Sequence, residues 1–170
     1  HRWYLLFLVA LVFIAYVNSL PNSFVSDDRG VVINAKSLSY AFSEPLTSLR
    51  PIFNFIVYQI GGLKPFLFRS INIFFHIGVV VLSFFLISSF SNRFTALIGA
   101  SLFAVHPILV EAISWISGGV YVQYAFFFLL SFALYILRKN KQKYYFFSIP
   151  VFAAALLSSE KAVVLALIFP

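Results

Sequence analysis

An all-α, polytopic membrane fold is predicted by composition and by the spacing of the apolar runs. Hydrophobic residues fill 62% of the 170 positions and charged residues only 10%, about half again the apolar share and well under half the charge of a water-soluble domain. Long apolar runs recur along the whole sequence, and a bilayer core about 30 Å thick takes roughly 20 apolar residues per helix. The 23 Phe and 9 Tyr suit lipid-facing and interfacial positions and carry no function by themselves. The sequence has no Cys, which leaves out disulfides and thiolate metal sites. A chain this apolar is a poor nucleic-acid binder despite its formal charge of +7.

The first span covers 3–20. It is too long and too aromatic for a signal peptide, and Asn18-Ser19-Leu20-Pro21 lacks a small-x-small cleavage pattern, so the helix is read as retained. The long connection 21–70 follows. Inside it, Ile52 to Ile60 is apolar but covers only about nine residues, roughly 14 Å of helix, and cannot span. Arg50-Pro51 starts this segment, with Pro at the first helical position, and Gly61-Gly62 stops it; it reads as an amphipathic helix lying at the membrane interface. Further spans fall at 71–90, at 94–115 with Pro107 inside it, at 120–137 and, shorter, at 144–157. A sixth begins near 162 and stops after too few residues to cross. The sequence 1–170 is therefore read as a single membrane domain that is a fragment, and because it opens on His1 and contains no Met, a native start is expected to be missing as well.

Orientation follows from the short loops, where the positive-inside rule is strongest. Arg138, Lys139, Lys141 and Lys143 crowd one connection and Arg93 sits in another, which places both on the cytoplasmic side. Parity then puts the 21–70 loop and the turns 116–119 and 158–161 outside. All five carboxylates, Asp27, Asp28, Glu44, Glu111 and Glu160, consequently share the outer face, although they come from three separate connections. Gathered acids are the layout of an active site.

Asp27 and Asp28 can hold a divalent cation such as Mg or Mn through oxygen ligands, or one can act as general base on an acceptor hydroxyl while its neighbour tunes it; a solvated turn or helix cap uses the same pair. His106 and Glu111 lie late in the third span, where an ionisable group costs several kcal/mol unless it is paired or faces a wet cavity. Their structural alternative is a hydrogen bond at a Pro107 kink. Glu160 and Lys161 at the last turn read either as part of a site or as a self-satisfied surface pair. His76 stands four residues after Asn72 on one helical face, within reach of a local or interhelical hydrogen bond, and Trp115 fits an interfacial belt.

In order along the chain, Asp27-Asp28 after the first helix, Arg50-Pro51-Ile52, Asn72-Ile73-Phe74-Phe75-His76, Phe103-Ala104-Val105-His106-Pro107 with Glu111 and Trp115-Ile116-Ser117-Gly118, and Leu157-Ser158-Ser159-Glu160 resemble the N-terminal membrane region of the GT-C class glycosyltransferases. The nearest branch is that of the transmembrane and tetratricopeptide-repeat O-mannosyltransferases and their bacterial relatives. The resemblance covers nearly all of the chain from Phe24 onward. It implies a GT-C-like helix bundle whose long outer first loop carries short interfacial helices. It also implies transfer of a sugar, mannose first among candidates, from a polyprenyl-phosphate carrier to a hydroxyl of an acceptor protein or glycan on the non-cytoplasmic face. Asp27, Asp28 and Glu111 are then the acid–base candidates. Arg29, Arg50, His106, Glu160 and Lys161 are the substrate-binding candidates, with Arg29, Arg50 or Lys161 set to neutralise the carrier phosphate.

The family carries Arg and, two places on, Asp after the Ser-Gly, where this chain has Gly119 and Tyr121; it carries Lys-Glu where this chain has Ser159-Glu160. The implied location is the bacterial inner membrane or, in a eukaryote, the endoplasmic reticulum membrane. Two other readings stand beside the enzyme: a transporter, which would set ionisable groups along a path through the midplane, and a catalytically inactive structural relative.

Overall fold

The computed structural model describes residues 2–43, 47–139 and 141–167, with side chains through Val164. Its described residues fold into nine α-helices joined by turns and short 3₁₀ segments: α1 Arg2–Tyr16, α2 Asp28–Asn34, α3 Leu38–Ala41, α4 Leu49–Gly61, α5 Pro65–Phe90, α6 Arg93–Ala104, α7 Val110–Ser114, α8 Gly119–Leu137 and α9 Lys143–Ser158. Three helical stretches are long and apolar enough to cross a membrane, Arg2–Ser19, Pro65–Phe90 and Gly119–Leu137, and α6 with the segment Pro107–Ser114 makes a fourth if the bent pair is one span. The protein is thus an all-helical membrane protein. At 16 residues α9 is shorter, and the stretch beyond it, Glu160–Leu167, is a 3₁₀ helix where the sequence suggested the start of a sixth span.

The helix ends follow from local chemistry. Helix α5 begins six residues before the expected 71, because Lys64 is extended and Pro65 takes the first helical position, where its missing N–H costs nothing. Its 26 residues make about 39 Å of helix, so its first turns project past the apolar stretch and carry Arg69 into the loop region. Helix α4 starts at Leu49, two residues before the expected Pro51, which puts Pro51 at the third position. Asn92 caps α6, its side-chain oxygen accepting from the Thr95 N–H at 2.9 Å, as N-cap asparagines do.

The third span differs most from expectation: it is broken. His106 is extended, with φ −64° and ψ 127°, as the residue before a proline tends to be, and the helical pieces on either side meet at 50°.

Helix α5 is the hub, packing on α1, α6 and α8, while α8 pairs with α9. Leu8, Val12 and Tyr16 on α1, Ile73, Val80 and Phe84 on α5, and Ala96, Ala100 and Ala104 on α6 share one buried core. The three alanines recur every fourth residue with no side-chain surface exposed, and small residues at that spacing let membrane helices approach closely. Gly78 does the same between α5 and α8, since a Cβ there would run into the Phe126 ring. Trp3, Leu6, Phe7, Phe74, Phe94 and Leu102 stay exposed, the outward apolar surface expected where the solvent is lipid. Short helices α2 and α3 pack on α4, which also meets α5 and α9.

Candidate functional site

Four separate parts of the chain meet at the loop end of the bundle. The turn after α1, the start of α4, the start of α5 and the 113–117 stretch that closes the broken span interlock through three buried charges. Arg69 is 1% exposed, Asp28 0% and Arg50 6%, and among the described residues these are the buried charged groups.

Asp28 opens α2 and is saturated. One carboxylate oxygen accepts from both the backbone N–H and the hydroxyl of Ser117, each at 3.0 Å. The other accepts from the Val25 N–H at 3.1 Å and lies 4.0 Å from the Arg69 guanidinium. Ser26, between them, takes a left-handed backbone conformation at φ 54°, sparsely populated for a residue with a side chain; this tight turn folds Val25 back onto the carboxylate. Arg69 donates to the carbonyls of Ser114 at 2.9 Å, Ser23 at 2.6 Å and Asn22.

Arg50 donates from one terminal nitrogen to the Asn72 side-chain oxygen at 2.8 Å and to the Ile116 carbonyl at 2.9 Å. Asn72 in turn donates to the carbonyls of Ile113 at 3.2 Å and Trp115 at 3.0 Å. The carbonyls of residues 113, 114, 115 and 116, at and just past the end of α7 where intrahelical partners run out, are therefore each taken by a side chain from α4 or α5, that of Ile116 also accepting from the Gly119 N–H. Burial lowers the Arg50 guanidinium to about 10, and the attraction of Asp28 offsets part of that shift.

Two cavities flank this node. One, of about 410 Å³, is lined by Asn22, Ser26, Arg69, Glu111, Ser114 and Trp115 among others. The other, of about 200 Å³, has Arg50, Asn54, Ser117 and Val120 among its walls.

The sequence candidates fall into distinct places. Glu111 is exposed at the first cavity. Asp27 and Arg29 are exposed on either side of buried Asp28. Asp28, expected as an acid–base group, sits as a buried anchor, and the expected pairing of Asp27 with Asp28 does not form: one side chain faces out and the other is enclosed. Both Asp28 oxygens already have partners there, and among the described residues no three His, Asp or Glu gather around a point that could hold a metal ion.

Glu160 is exposed, and Lys161 lies over the Tyr121 ring, 4.8 Å from its centre, so the last turn does return to the same end of the bundle. Glu44 lies outside the described residues. His106 is exposed at the break and caps the following turn, its Nδ1 accepting from the Ile108 N–H at 3.3 Å. His76 is buried, with Nε2 3.1 Å from the Ala104 carbonyl and its ring edge-on to Tyr16. That carbonyl is one the break frees, so His76 is spent on backbone repair.

Arg69, Ser117 and Asn54 were not singled out as site residues by the sequence. A signal for Arg69 existed: a charge adjoining an apolar run is costly unless paired.

These features define a helical membrane protein whose polar centre is confined to one end of the bundle. Its similarity to known proteins narrows the class. The chain is 30% identical over 156 residues to protein O-mannosyl-transferase TMTC3 of Mus musculus, an alignment covering 78% of this chain and 17% of that protein. It is 30% identical over 148 residues to protein O-mannosyl-transferase TMTC1 of Homo sapiens, covering 72% and 16%, and 34% identical over 122 residues to protein O-mannosyl-transferase tmtc2 of Xenopus laevis, covering 71% and 14%. The chain belongs, as a distant member, to this family of O-mannosyltransferases, and it spans about a sixth of the length of the TMTC3 and TMTC1 relatives. No family model matches it, and no solved structure does.

Proposed function

We propose that the protein is a membrane mannosyltransferase that moves mannose from a polyprenyl-phosphate carrier to a Ser or Thr hydroxyl of an acceptor protein on the non-cytoplasmic face of its membrane. The observation that carries the reading is the cavity of about 410 Å³ at the loop end, lined by exposed Glu111 and by the Arg69 that lies beside Asp28. The homologues' names supply the chemistry, and the cavity supplies a carboxylate free to perform it.

In this reading Asp28 positions and does not react, because its oxygens are engaged. Glu111 at the cavity, or Asp27, next in sequence to the cavity-lining Ser26, takes the proton as the acceptor oxygen attacks the sugar carbon and the carrier phosphate leaves. A carboxylate within hydrogen-bond reach can do this, and its amide cannot. Walls that exclude water strengthen every charge contact made there.

The test is transfer of mannose from polyprenyl-phosphate mannose to a Ser/Thr peptide by the full-length protein in nanodiscs. Glu111→Gln and Asp27→Asn are measured singly and together. We expect at least one single variant to lose transfer by a factor of about 100 or more, the low end of the 10²–10⁴ that a general base contributes. Wild-type rates in the double variant would end the assignment.

A further inference from the structure

Helices α5 and α8 run side by side in the same direction and in register. A Cβ at Gly119 would meet the Asn72 side chain, and one at Gly78 would meet the Phe126 ring, so position 72 stands against 119 and 78 against 126. One turn further from the polar centre a groove opens between them. Leu82, Phe85 and Leu86 on α5 and Leu130, Leu134 and Leu137 on α8 line a cavity of about 290 Å³. On each helix these residues are three and four apart, a single apolar face.

The groove ends at a run of cations. Leu137 lines it, and the next two residues, Arg138 and Lys139, line a second cavity of about 370 Å³ with Gln142 and Tyr145. Arg138 lies over the Tyr135 ring, 3.7 Å from its centre, a contact that fixes the plane of the guanidinium and its donors. Lys141 and Lys143 follow and are exposed. No Asp or Glu occurs in 45–110 or in 112–159. The acids among the described residues gather at the other end of α8, where Asp28 bonds Ser117, the Glu111 carbonyl adjoins Gly118 and Glu160 precedes the Lys161 that covers Tyr121. Four positive charges therefore crowd the foot of α8 with no carboxylate among the described residues to meet them.

An apolar slot leading to a basic mouth selects its occupant. A helix does not enter the slot: one turn, about 10 Å across with a 5.4 Å pitch, takes roughly 420 Å³, more than the slot holds. A hydrocarbon chain does enter, and basic pockets between membrane helices take anionic lipid headgroups. Gln142 adds an amide donor and acceptor beside the two cations. We propose that the α5–α8 groove and the Arg138–Lys139 cavity form one binding site for an anionic phospholipid, an acyl chain lying in the groove and the phosphate at the mouth. The site stands apart from the transferase reading, since no residue of the polar centre contributes to it.

The experiment places the full-length protein in nanodiscs holding equal amounts of phosphatidylglycerol and phosphatidylcholine with identical acyl chains, and native mass spectrometry reads which lipid it retains on release. Each Lys or Arg beside an anionic headgroup is worth about a fivefold change in affinity, so we expect a preference for phosphatidylglycerol of roughly tenfold or more. The double variant Arg138→Gln/Lys139→Gln, at the mouth, should abolish that preference. Lys141→Gln/Lys143→Gln removes as much charge from outside the two cavities and should keep it. Ala133→Phe, at a position lining the groove, fills it without changing the charge and should reduce retention of both lipids. Equal retention of the two lipids by the unsubstituted protein overturns the proposal, and this is the result expected if another helix of the full chain covers the groove. Equal losses in the two double variants, which alter surface side chains and leave the fold intact, also overturn it, since they reduce the effect to a diffuse surface charge. An Ala133→Phe variant with an unlowered unfolding midpoint and unchanged retention overturns the groove and with it the site.

Discussion

Replacing Asp28 by Asn should unfold the loop end of the protein before it tells anything about chemistry. The carboxylate accepts three hydrogen bonds, two from Ser117 and one from Val25, and lies beside a guanidinium that is 1% exposed. An amide keeps one oxygen for Ser117 but turns its NH₂ toward the Val25 N–H and Arg69, donor against donor. Loss of one charge-assisted bond costs about 1.5–3 kcal/mol. Stranding the buried Arg69 adds to it, and removal of one partner of a buried pair costs about 3–5 kcal/mol in all. That is a large part of the 5–15 kcal/mol that typically separates folded from unfolded proteins. Asp27→Asn, at an exposed position, should stay within about 0.5 kcal/mol of wild type. Unfolding free energies of the full-length protein, measured by steric trapping in bicelles, separate the two. An Asp28→Asn variant as stable as Asp27→Asn would refute the anchor argument and return Asp28 to the list of reactive acids.

Gly119→Ala places a Cβ against the Asn72 side-chain oxygen and an Arg50 nitrogen; overpacking of this kind costs about 1–3 kcal/mol, and the same unfolding measurement should show it, whereas Gly30→Ala, with open space around it, should be close to neutral. Arg50 gives a pH signature. Burial holds its folded pKa at about 10, below its ordinary value, so above about pH 10 the unfolded chain binds more protons, and its contribution to stability rises with pH; the difference in stability between wild type and Arg50→Met should be flat below about pH 10 and climb above it, and a falling difference would contradict the burial. For orientation, the absence of native Cys allows single-Cys labelling with an impermeant maleimide: a Cys at position 27 should label in intact cells and one at position 139 should not.

The helical membrane class and most helix positions were legible because long apolar runs have one economical outcome in lipid. The break in the third span was half legible: Pro107 was visible, but whether a proline kinks or interrupts depends on partners for the freed carbonyls, and the partner, His76, comes from a different helix. The convergence of separated connections at one end followed from counting spans, and the contacts of Asp28 with Ser117 and of Lys161 with Tyr121 agree with it. Which acid of the Asp27-Asp28 pair faces solvent was not legible, since adjacent residues differ only in the local turn, here fixed by Ser26. The role of Arg69 was not legible because its partners lie 45 to 47 residues away, beyond any local pattern.

The four claimed carbonyls of residues 113–116 carry a mechanical consequence. Their donors sit on α4 and α5, so sliding α4 away from the bundle would strand several polar groups at once in a poorly hydrated place. These parts should therefore travel as one rigid block, with slow amide exchange at residues such as Gly119 just beyond it. Motion at this end of the bundle must then be borne outside the block, whose floor stays still.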